Sequence, residues 1–68
     1  MIITLNGERH ELDPVETLSV AELLTTLAID ARRVAVEHNL VVVKRAAYAD
    51  TVVRDGDAVE IVNFVGGG

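Results

Sequence analysis

The 68-residue chain contains no cysteine, no tryptophan, one tyrosine and one phenylalanine. Without cysteine it can form neither a disulfide framework nor a cysteine-based zinc or redox site. With so few aromatic residues, its core must be built from Val, Leu, Ile and Ala. A domain of this size buries only about 60% of its unfolded surface and has little room for a cofactor cavity. We therefore expect a small aliphatic core and no bound cofactor.

Long hydrophobic runs are also lacking. The longest uninterrupted apolar stretch, residues 40–43, is far too short to span a bilayer. Residues 1–6 are patterned as a strand and lack the basic and apolar regions of a signal peptide. These features predict a soluble, cytoplasmic protein with no membrane partner.

Positive charge is scarce, because 6 Lys and Arg residues stand against 11 Asp and Glu residues, a formal net charge of -5. Nucleic-acid binding requires clustered cations. Only Arg32-Arg33 and Lys44-Arg45 come close, and each pair is interpreted as solvated charge beside a predicted loop. The charge balance argues against a nucleic-acid partner and favours partners with a positive surface.

The first half of the chain carries clear turn and helix signals. Asn6-Gly7 separates two strand-like runs, residues 2–5 and 8–12, which predicts an antiparallel hairpin with a type I′ turn. Ser19, with a glutamate three residues later, predicts a capping box at the start of a helix. Apolar residues then recur at helical spacing, so one helix face should meet a sheet. They are Val20, Leu23, Leu24 and Leu27.

The second half is rich in β-branched residues. Residues 34–37 and 40–44 are predicted strands joined by a turn at residues 38–39. A turn cluster, 54–57, precedes a final strand, 58–64. Two strands, a helix and further strands in one sheet resemble the arrangement of ubiquitin, with the last strand parallel to the first. The predicted fold class is α+β: a ubiquitin-like β-grasp with a mixed four- to five-stranded sheet packed on one helix and a flexible C-terminal tail.

The side chains present no catalytic constellation. His10 and His38 lack a second ligand at suitable spacing and are interpreted as exposed strand or turn residues, not metal ligands. Turn formation explains Asp55 and Asp57 better than acid–base chemistry, because such side chains bond their own backbone. The glycines match neither a dinucleotide nor a P-loop fingerprint. We therefore expect a substrate or carrier, not an enzyme.

Glycine is concentrated at one end of the chain. Three of the 5 glycines, Gly66, Gly67 and Gly68, directly follow the predicted final strand. Residues without a Cβ atom allow the backbone to lie close against the walls of another protein's active site. The chain is therefore divided into a domain, residues 1–64, and a flexible tail, residues 65–68, which presents the carboxylate of Gly68 to a partner.

A candidate docking patch lies next to this tail. Strand alternation directs Val59 and Ile61 toward the core and Val62 and Phe64 outward. An exposed Phe64 beside Val62, continued by Val65, would form a partner-binding surface. In the alternative, a bulge or twist turns Phe64 inward as a core anchor, and both interpretations stay open on the sequence alone.

Three segments together resemble the thiamine sulfur carrier family, ThiS. They are residues 3–8 (ITLNGE), 34–39 (VAVEHN) and 55–68 (DGDAVEIVNFVGGG). The resemblance covers the whole chain and depends on the order and spacing of these segments. Two positions depart from the family pattern: Ala28 stands where glycine is often found after the helix, and Lys44 where proline is frequent. Neither departure touches the tail.

The resemblance implies a carrier cycle at Gly68, with Gly66 and Gly67 as its flexible approach. A ubiquitin-activating-type adenylyltransferase, ThiF-like, would consume ATP to convert the carboxylate into an acyl adenylate. A cysteine persulfide would then supply sulfur, giving a thiocarboxylate. This group would donate its sulfur to thiazole synthase, ThiG-like.

Three other functions stay open from the sequence. The small subunit of molybdopterin synthase shares the fold and the thiocarboxylate but is usually longer. A protein-conjugating modifier would use the same adenylation to form isopeptide bonds with lysines. A β-grasp interaction module would use its glycines only as a linker.

Overall fold

The computed structural model describes residues 1–64, so the predicted flexible tail lies outside the described residues. The described elements are β1 (Ile2–Leu5), β2 (Glu8–Glu11), β3 (Thr17–Ser19), α1 (Val20–Thr26), β4 (Val34–His38), β5 (Val41–Val43), β6 (Val52–Arg54) and β7 (Ala58–Asn63). Two single-turn 3-10 helices, Ala31–Arg33 and Arg45–Ala47, flank the β4–β5 hairpin. Five strands form a mixed sheet in the order β2-β1-β7-β4-β5, and α1 shares its core. The predicted β-grasp architecture is confirmed.

The first hairpin has the turn that its sequence predicts. Asn6 and Gly7 have φ values of 50° and 82°, both positive as a type I′ turn requires. This turn pairs β1 with β2 in an antiparallel register. Because side chains alternate along a strand, Ile3 is buried in the core while Thr4 is exposed on the outer face.

The capping box at the start of α1 is confirmed. The Glu22 amide donates to the Ser19 hydroxyl over 3.0 Å, and the Ser19 amide donates to the Glu22 carboxylate over 2.8 Å. The hydrogen bonds from Ser19 also lower the pKa of Glu22. Val20, Leu23 and Leu24 are buried, so the helix meets the sheet along its predicted face.

The end of α1 keeps a glycine-type cap without glycine. Ala28 adopts a left-handed conformation with φ 58°. Its amide donates to the Thr25 carbonyl over 3.0 Å, and the Ile29 amide donates to the Leu24 carbonyl over 2.9 Å. These two bonds define a Schellman motif. Alanine at this position therefore preserves the cap. The left-handed backbone conformation of a residue with a Cβ atom costs about 1–2 kcal/mol.

The prediction of a single sheet is wrong, because β3 and β6 form a separate antiparallel pair. Leu18 lies opposite Val53 in this second sheet, and Val53 is buried. β3 has only three residues and leads directly into α1. Three residues are too few to show the alternation of a strand, so the sequence pattern could not separate β3 from the residues that lead into the helix.

The turn between β4 and β5 lies one residue later than predicted. His38 belongs to β4, and the turn residues are Asn39 and Leu40, with φ values of 49° and 70°. Leu40 is 88% exposed. Because a large apolar residue rarely adopts a left-handed conformation, Leu40 was predicted to begin the following strand and not to form the turn.

The core is aliphatic, as expected, with one aromatic addition. The Tyr48 hydroxyl donates to the Val34 carbonyl over 3.2 Å, which satisfies the polar tip of an otherwise buried ring. The buried apolar residues are Ile3, Val20, Leu23, Leu24, Val34, Val36, Val43, Tyr48, Val53 and Val59. Within residues 1–64, no helix is long and apolar enough to cross a membrane.

Candidate functional site: the base of the C-terminal tail

Strand β7, which leads into the tail, lies at the centre of the sheet. It pairs in parallel with β1, with Thr4 beside Ala58, and it pairs antiparallel with β4 through residues 59–63. The Phe64 amide extends this second ladder by donating to the Arg33 carbonyl over 2.9 Å. The last described residue before the tail is therefore tied by its backbone to the residue that directly precedes β4.

Two asparagines extend the hydrogen bonding of β7 beyond its neighbouring strands. The Asn6 side chain accepts from the Ile61 amide over 2.7 Å and donates to the Ile61 carbonyl over 3.1 Å. The Asn39 side chain accepts from the Ala58 amide over 2.9 Å. Sequence reasoning treated both residues as turn formers only. Their partners are distant along the chain, so no local signal could have revealed this second role.

Replacing Asn6 by glycine should loosen the base of the tail. Glycine retains the positive φ, so the change removes the amide bonds to Ile61 without straining the turn. We expect a loss of about 1–2 kcal/mol in unfolding free energy, from two hydrogen bonds of about 1 kcal/mol or less each. Native-state amide exchange, followed by NMR, should accelerate at Ile61.

Asn39→Gly is the matched control for this prediction, since it removes the equivalent bond to Ala58 at the opposite end of β7. Exchange should then accelerate at Ala58 and remain slow at Ile61. Equal acceleration at both amides in either variant would mean that the two asparagines act only through global stability.

The outer face of β7 presents the predicted docking patch. Val62 and Phe64 are 59% and 58% exposed, whereas Val59 on the inner face is 1% exposed. Ala35 lies opposite Val62 on β4 and is also exposed. The structure therefore decides the open question about Phe64 in favour of exposure. We name Ala35, Val62 and Phe64 the tail-base patch.

An acidic pair borders the tail-base patch. Glu37 on β4 lies directly opposite Glu60 on β7, on the same outer face. Like charges in this arrangement repel one another. Together with the apolar patch, they give the face beside the tail an amphipathic character that suits a protein partner.

His38 is not the exposed turn residue that its sequence position suggested. Its Nε2 atom lies 2.7 Å from an Asp57 carboxylate oxygen, and both side chains are only 19% exposed. The same oxygen accepts from the Arg54 amide over 2.9 Å, so Asp57 also bonds its own turn as expected. Burial raises the pKa of Asp57, but hydrogen bonds from His38 and Arg54 outweigh it and leave this pKa below 3.8.

Asp57→Asn should destabilise the fold in a pH-dependent way. Because the pKa of Asp57 is lower in the folded chain, its carboxylate stabilises the fold above the ordinary pKa of 3.8. That contribution disappears as the pH falls through the folded-state pKa. We expect a loss of about 1–3 kcal/mol at neutral pH, measured by urea unfolding.

The difference between wild type and Asp57→Asn should shrink as the pH falls below 3.8, the unperturbed value. Asp50→Asn, at an exposed position, serves as the control and should change stability little. A deficit that persists unchanged into strongly acidic solution would show that the Asp57 charge does not contribute.

The remaining candidate residues form no common site within the described part of the chain. Within the described residues, no group of three or more His, Cys, Asp or Glu side chains is placed to hold a metal ion. Asp55 accepts from the Ile2 amide over 2.7 Å and so links the β6–β7 turn to β1. The predicted tail residues Val65, Gly66, Gly67 and Gly68 lie outside the described residues.

A mixed five-stranded sheet in this order, packed on one helix with its central strand leading into the C-terminal segment, defines a ubiquitin-like β-grasp protein. The ThiS family model matches residues 3–68. The chain therefore belongs to the ThiS family.

Individual relatives agree with this assignment. A crystal structure of a thiamine biosynthesis protein (ThiS) from Geobacter metallireducens superposes with a TM-score of 0.89 at 46% identity, covering 100% of both chains. The sulfur carrier protein ThiS of Bacillus subtilis is 34% identical over 98% of this chain and 100% of its own length. A thiazole synthase from Paramagnetospirillum magneticum is 44% identical over the whole chain, which spans 20% of that relative.

Proposed function

We propose that this chain is a sulfur carrier for thiamine biosynthesis and that Gly68 is the residue that carries the sulfur. The observation that supports this most directly is the family match, which extends through residue 68 and so includes the glycine segment. The fold adds a physical basis, because the central strand β7 delivers this segment from the firmly bonded middle of the sheet. The same match favours the thiamine branch over the small subunit of molybdopterin synthase.

The proposed chemistry begins with activation of a carboxylate. A terminal carboxyl group has a pKa of about 3.3–3.7, so at neutral pH it is an anion and a poor electrophile. A ThiF-like adenylyltransferase would bring ATP, and the Gly68 carboxylate would attack its α-phosphorus with release of pyrophosphate. The resulting acyl adenylate has AMP as a good leaving group.

Sulfur transfer follows from that adenylate. The terminal sulfur of a cysteine persulfide attacks the acyl carbon, AMP leaves, and an acyl disulfide links the two proteins. A second thiol reduces this disulfide, which releases the thiocarboxylate and forms a new disulfide in its place. The chain itself contains no cysteine, so both thiols belong to partners.

Thiazole synthase is the proposed recipient. Relatives from Paramagnetospirillum magneticum and Magnetococcus marinus carry that name, and the present chain aligns with 20% of the length of each. A segment similar to this chain within a larger thiazole synthase supports direct transfer between a carrier domain and a synthase domain.

The domain must dock before the tail can react. Residues 65–68 extend over at most about 13 Å. Ordering four residues costs roughly 4–8 kcal/mol. Binding at the tail-base patch would offset this cost and would remain weak enough for the carrier to pass from one partner to the next.

Intact-mass spectrometry tests the proposal. The mass of the purified protein first establishes that Gly68 bears a free carboxylate. Incubation with ATP, a persulfide donor and the ThiF-like enzyme of the same organism should then replace one oxygen by sulfur. Attachment to lysines of other proteins would indicate a conjugating modifier, and an unchanged mass with an active enzyme would overturn the carrier proposal. Rescue of a thiamine auxotroph, without rescue of a molybdopterin auxotroph, should identify the pathway.

A further inference from the structure

The two basic pairs of the sequence form one cluster in the fold. Arg32 and Arg33 directly precede β4, and Lys44 and Arg45 directly follow β5. Because β4 and β5 are antiparallel, these segments lie side by side, and Arg45 donates to the Arg32 carbonyl over 3.4 Å. Four of the chain's 6 Lys and Arg residues therefore lie together.

This basic cluster lies on the β4 side of the point where β7 leads into the tail. The Phe64 amide donates to the Arg33 carbonyl over 2.9 Å, so the cluster directly adjoins the tail-base patch. All four cationic residues are exposed, and the side chain of Arg33 is 82% accessible. The charges are solvated, as the sequence indicates, and the fold adds that the two pairs lie together.

One carboxylate partly neutralises the cluster. Asp30 accepts two hydrogen bonds from the Arg32 guanidinium, over 3.0 and 3.2 Å, and lies 3.6 Å from Arg33. The hydrogen bonds from Arg32 lower the pKa of Asp30 to about 2. Within residues 1–64, Lys44 and Arg45 form no ion pair, so the cluster keeps an excess of positive charge.

The opposite end of β7 has no such excess of positive charge. Asp55 and Asp57 lie in the turn that precedes this strand. The two remaining cations also lie near that end: Arg54 ends β6, and Arg9 lies opposite Thr4, which in turn neighbours Ala58. A chain with a net charge of -5 thus concentrates its positive charge where the tail begins.

We propose that the basic cluster docks against an acidic rim, formed by Asp and Glu carboxylates, around the entrance of the activating enzyme's cleft. This inference rests on the proposed carrier function. Exposed guanidinium groups match carboxylates in a planar, two-bond geometry. The acidic rim would attract the basic cluster, while the acidic surface of the domain, including Glu37 and Glu60 beside the tail-base patch, would be repelled. Charge would therefore orient the carrier as well as accelerate its association.

The length of the tail indicates that these cations contact the acidic rim and not the nucleotide. With residues 65–68 extended into a cleft, the Gly68 carboxylate lies up to about 13 Å beyond Phe64. At full extension this distance exceeds the Debye length of about 8 Å at physiological ionic strength. The cluster would then remain outside the cleft when the carboxylate reaches the α-phosphate.

Charge reversal at two exposed positions tests this inference. The probe is the ThiF-like enzyme of the same organism, and the readout is kcat/KM for pyrophosphate release as a function of salt. Arg33→Glu/Lys44→Glu should lower kcat/KM at least about tenfold at an ionic strength of about 0.01 M. The deficit should disappear near 1 M salt, where the Debye length is about 3 Å. Arg33→Gln/Lys44→Gln should show a smaller loss with the same salt dependence.

The control Arg9→Glu/Arg54→Glu changes the net charge equally at the opposite end of β7. Its kcat/KM should fall much less, and all variants should unfold at temperatures close to that of the wild type. Equal losses of kcat/KM in the cluster and control variants would overturn the proposal of an acidic rim and leave the proposed carrier function intact. A cluster deficit in kcat that persists at 1 M salt would place the cations at the nucleotide instead. A wild-type chain that releases no pyrophosphate with an active enzyme would overturn both proposals.

Discussion

A variant that ends at Gly67 is expected to acquire no sulfur under conditions that convert the full chain completely. Its terminal carboxylate would lie about 3.3 Å short of the position occupied by that of Gly68. A misplacement of 1 Å at a reacting centre can lower a rate about a hundredfold. The truncated protein should nevertheless unfold at the same temperature, because the described core lies entirely within residues 1–64. Intact mass and thermal unfolding measure the two results.

Gly68→Ala is the companion variant to this truncation, because it keeps the carboxylate at the same chain position and adds only a Cβ atom. Sulfur transfer to this variant should be slow, because the added Cβ atom restricts the backbone conformation and increases its width within a narrow cleft. Normal sulfur transfer to the truncated chain would show that the last carboxylate is not the reacting group.

Phe64→Asp is expected to lower kcat/KM for adenylation by about 30-fold or more. A charge in the tail-base patch would have to be desolvated against the partner, and central anchors of an interface commonly contribute 2 kcal/mol or more. Phe64 is 58% exposed, so stability should change little. Kinetics of pyrophosphate release, together with thermal unfolding, separate the two effects.

Val15→Asp provides the control for the Phe64 variant. Val15 is an exposed apolar residue in the loop before β3, close to Asp55 and remote from the end of β7. Its kcat/KM should match that of the wild type. A Phe64 variant that reacts normally would show that partners do not bind this face.

These predictions separate recognition from chemistry within one small domain. Shortening the tail leaves the proposed docking surface intact, whereas Phe64→Asp leaves the proposed reactive carboxylate of Gly68 intact. The two variants should therefore fail differently: excess enzyme should restore the reaction of the Phe64 variant but not that of the truncated chain. This contrast would show that the body binds and orients while the last residue reacts.

Features set by neighbouring residues could be predicted from the sequence. Asn6-Gly7 determined the first turn because few other pairs adopt positive φ twice. The capping box of Ser19 and Glu22 marked the helix start because both of its bonds lie within four residues. Alternation along the last strand correctly placed Val59 inside and Val62 outside. The family resemblance likewise followed from the order of short segments.

Features that depend on contacts between distant residues were decided only by the tertiary structure. The pairing of β3 with β6, the hydrogen bonds between Asn6 and Ile61 and the contact of His38 with Asp57 join segments that no local pattern connects. Exposure of Phe64 also depended on which strands surround β7.

The basic cluster shows the same division. The sequence by itself determined that two cationic pairs exist and that the chain is acidic overall. Only antiparallel pairing of β4 with β5, beside β7, brings both pairs to the base of the tail. The physical reason is that charge acts through space: its effect depends on distances that a linear sequence does not contain.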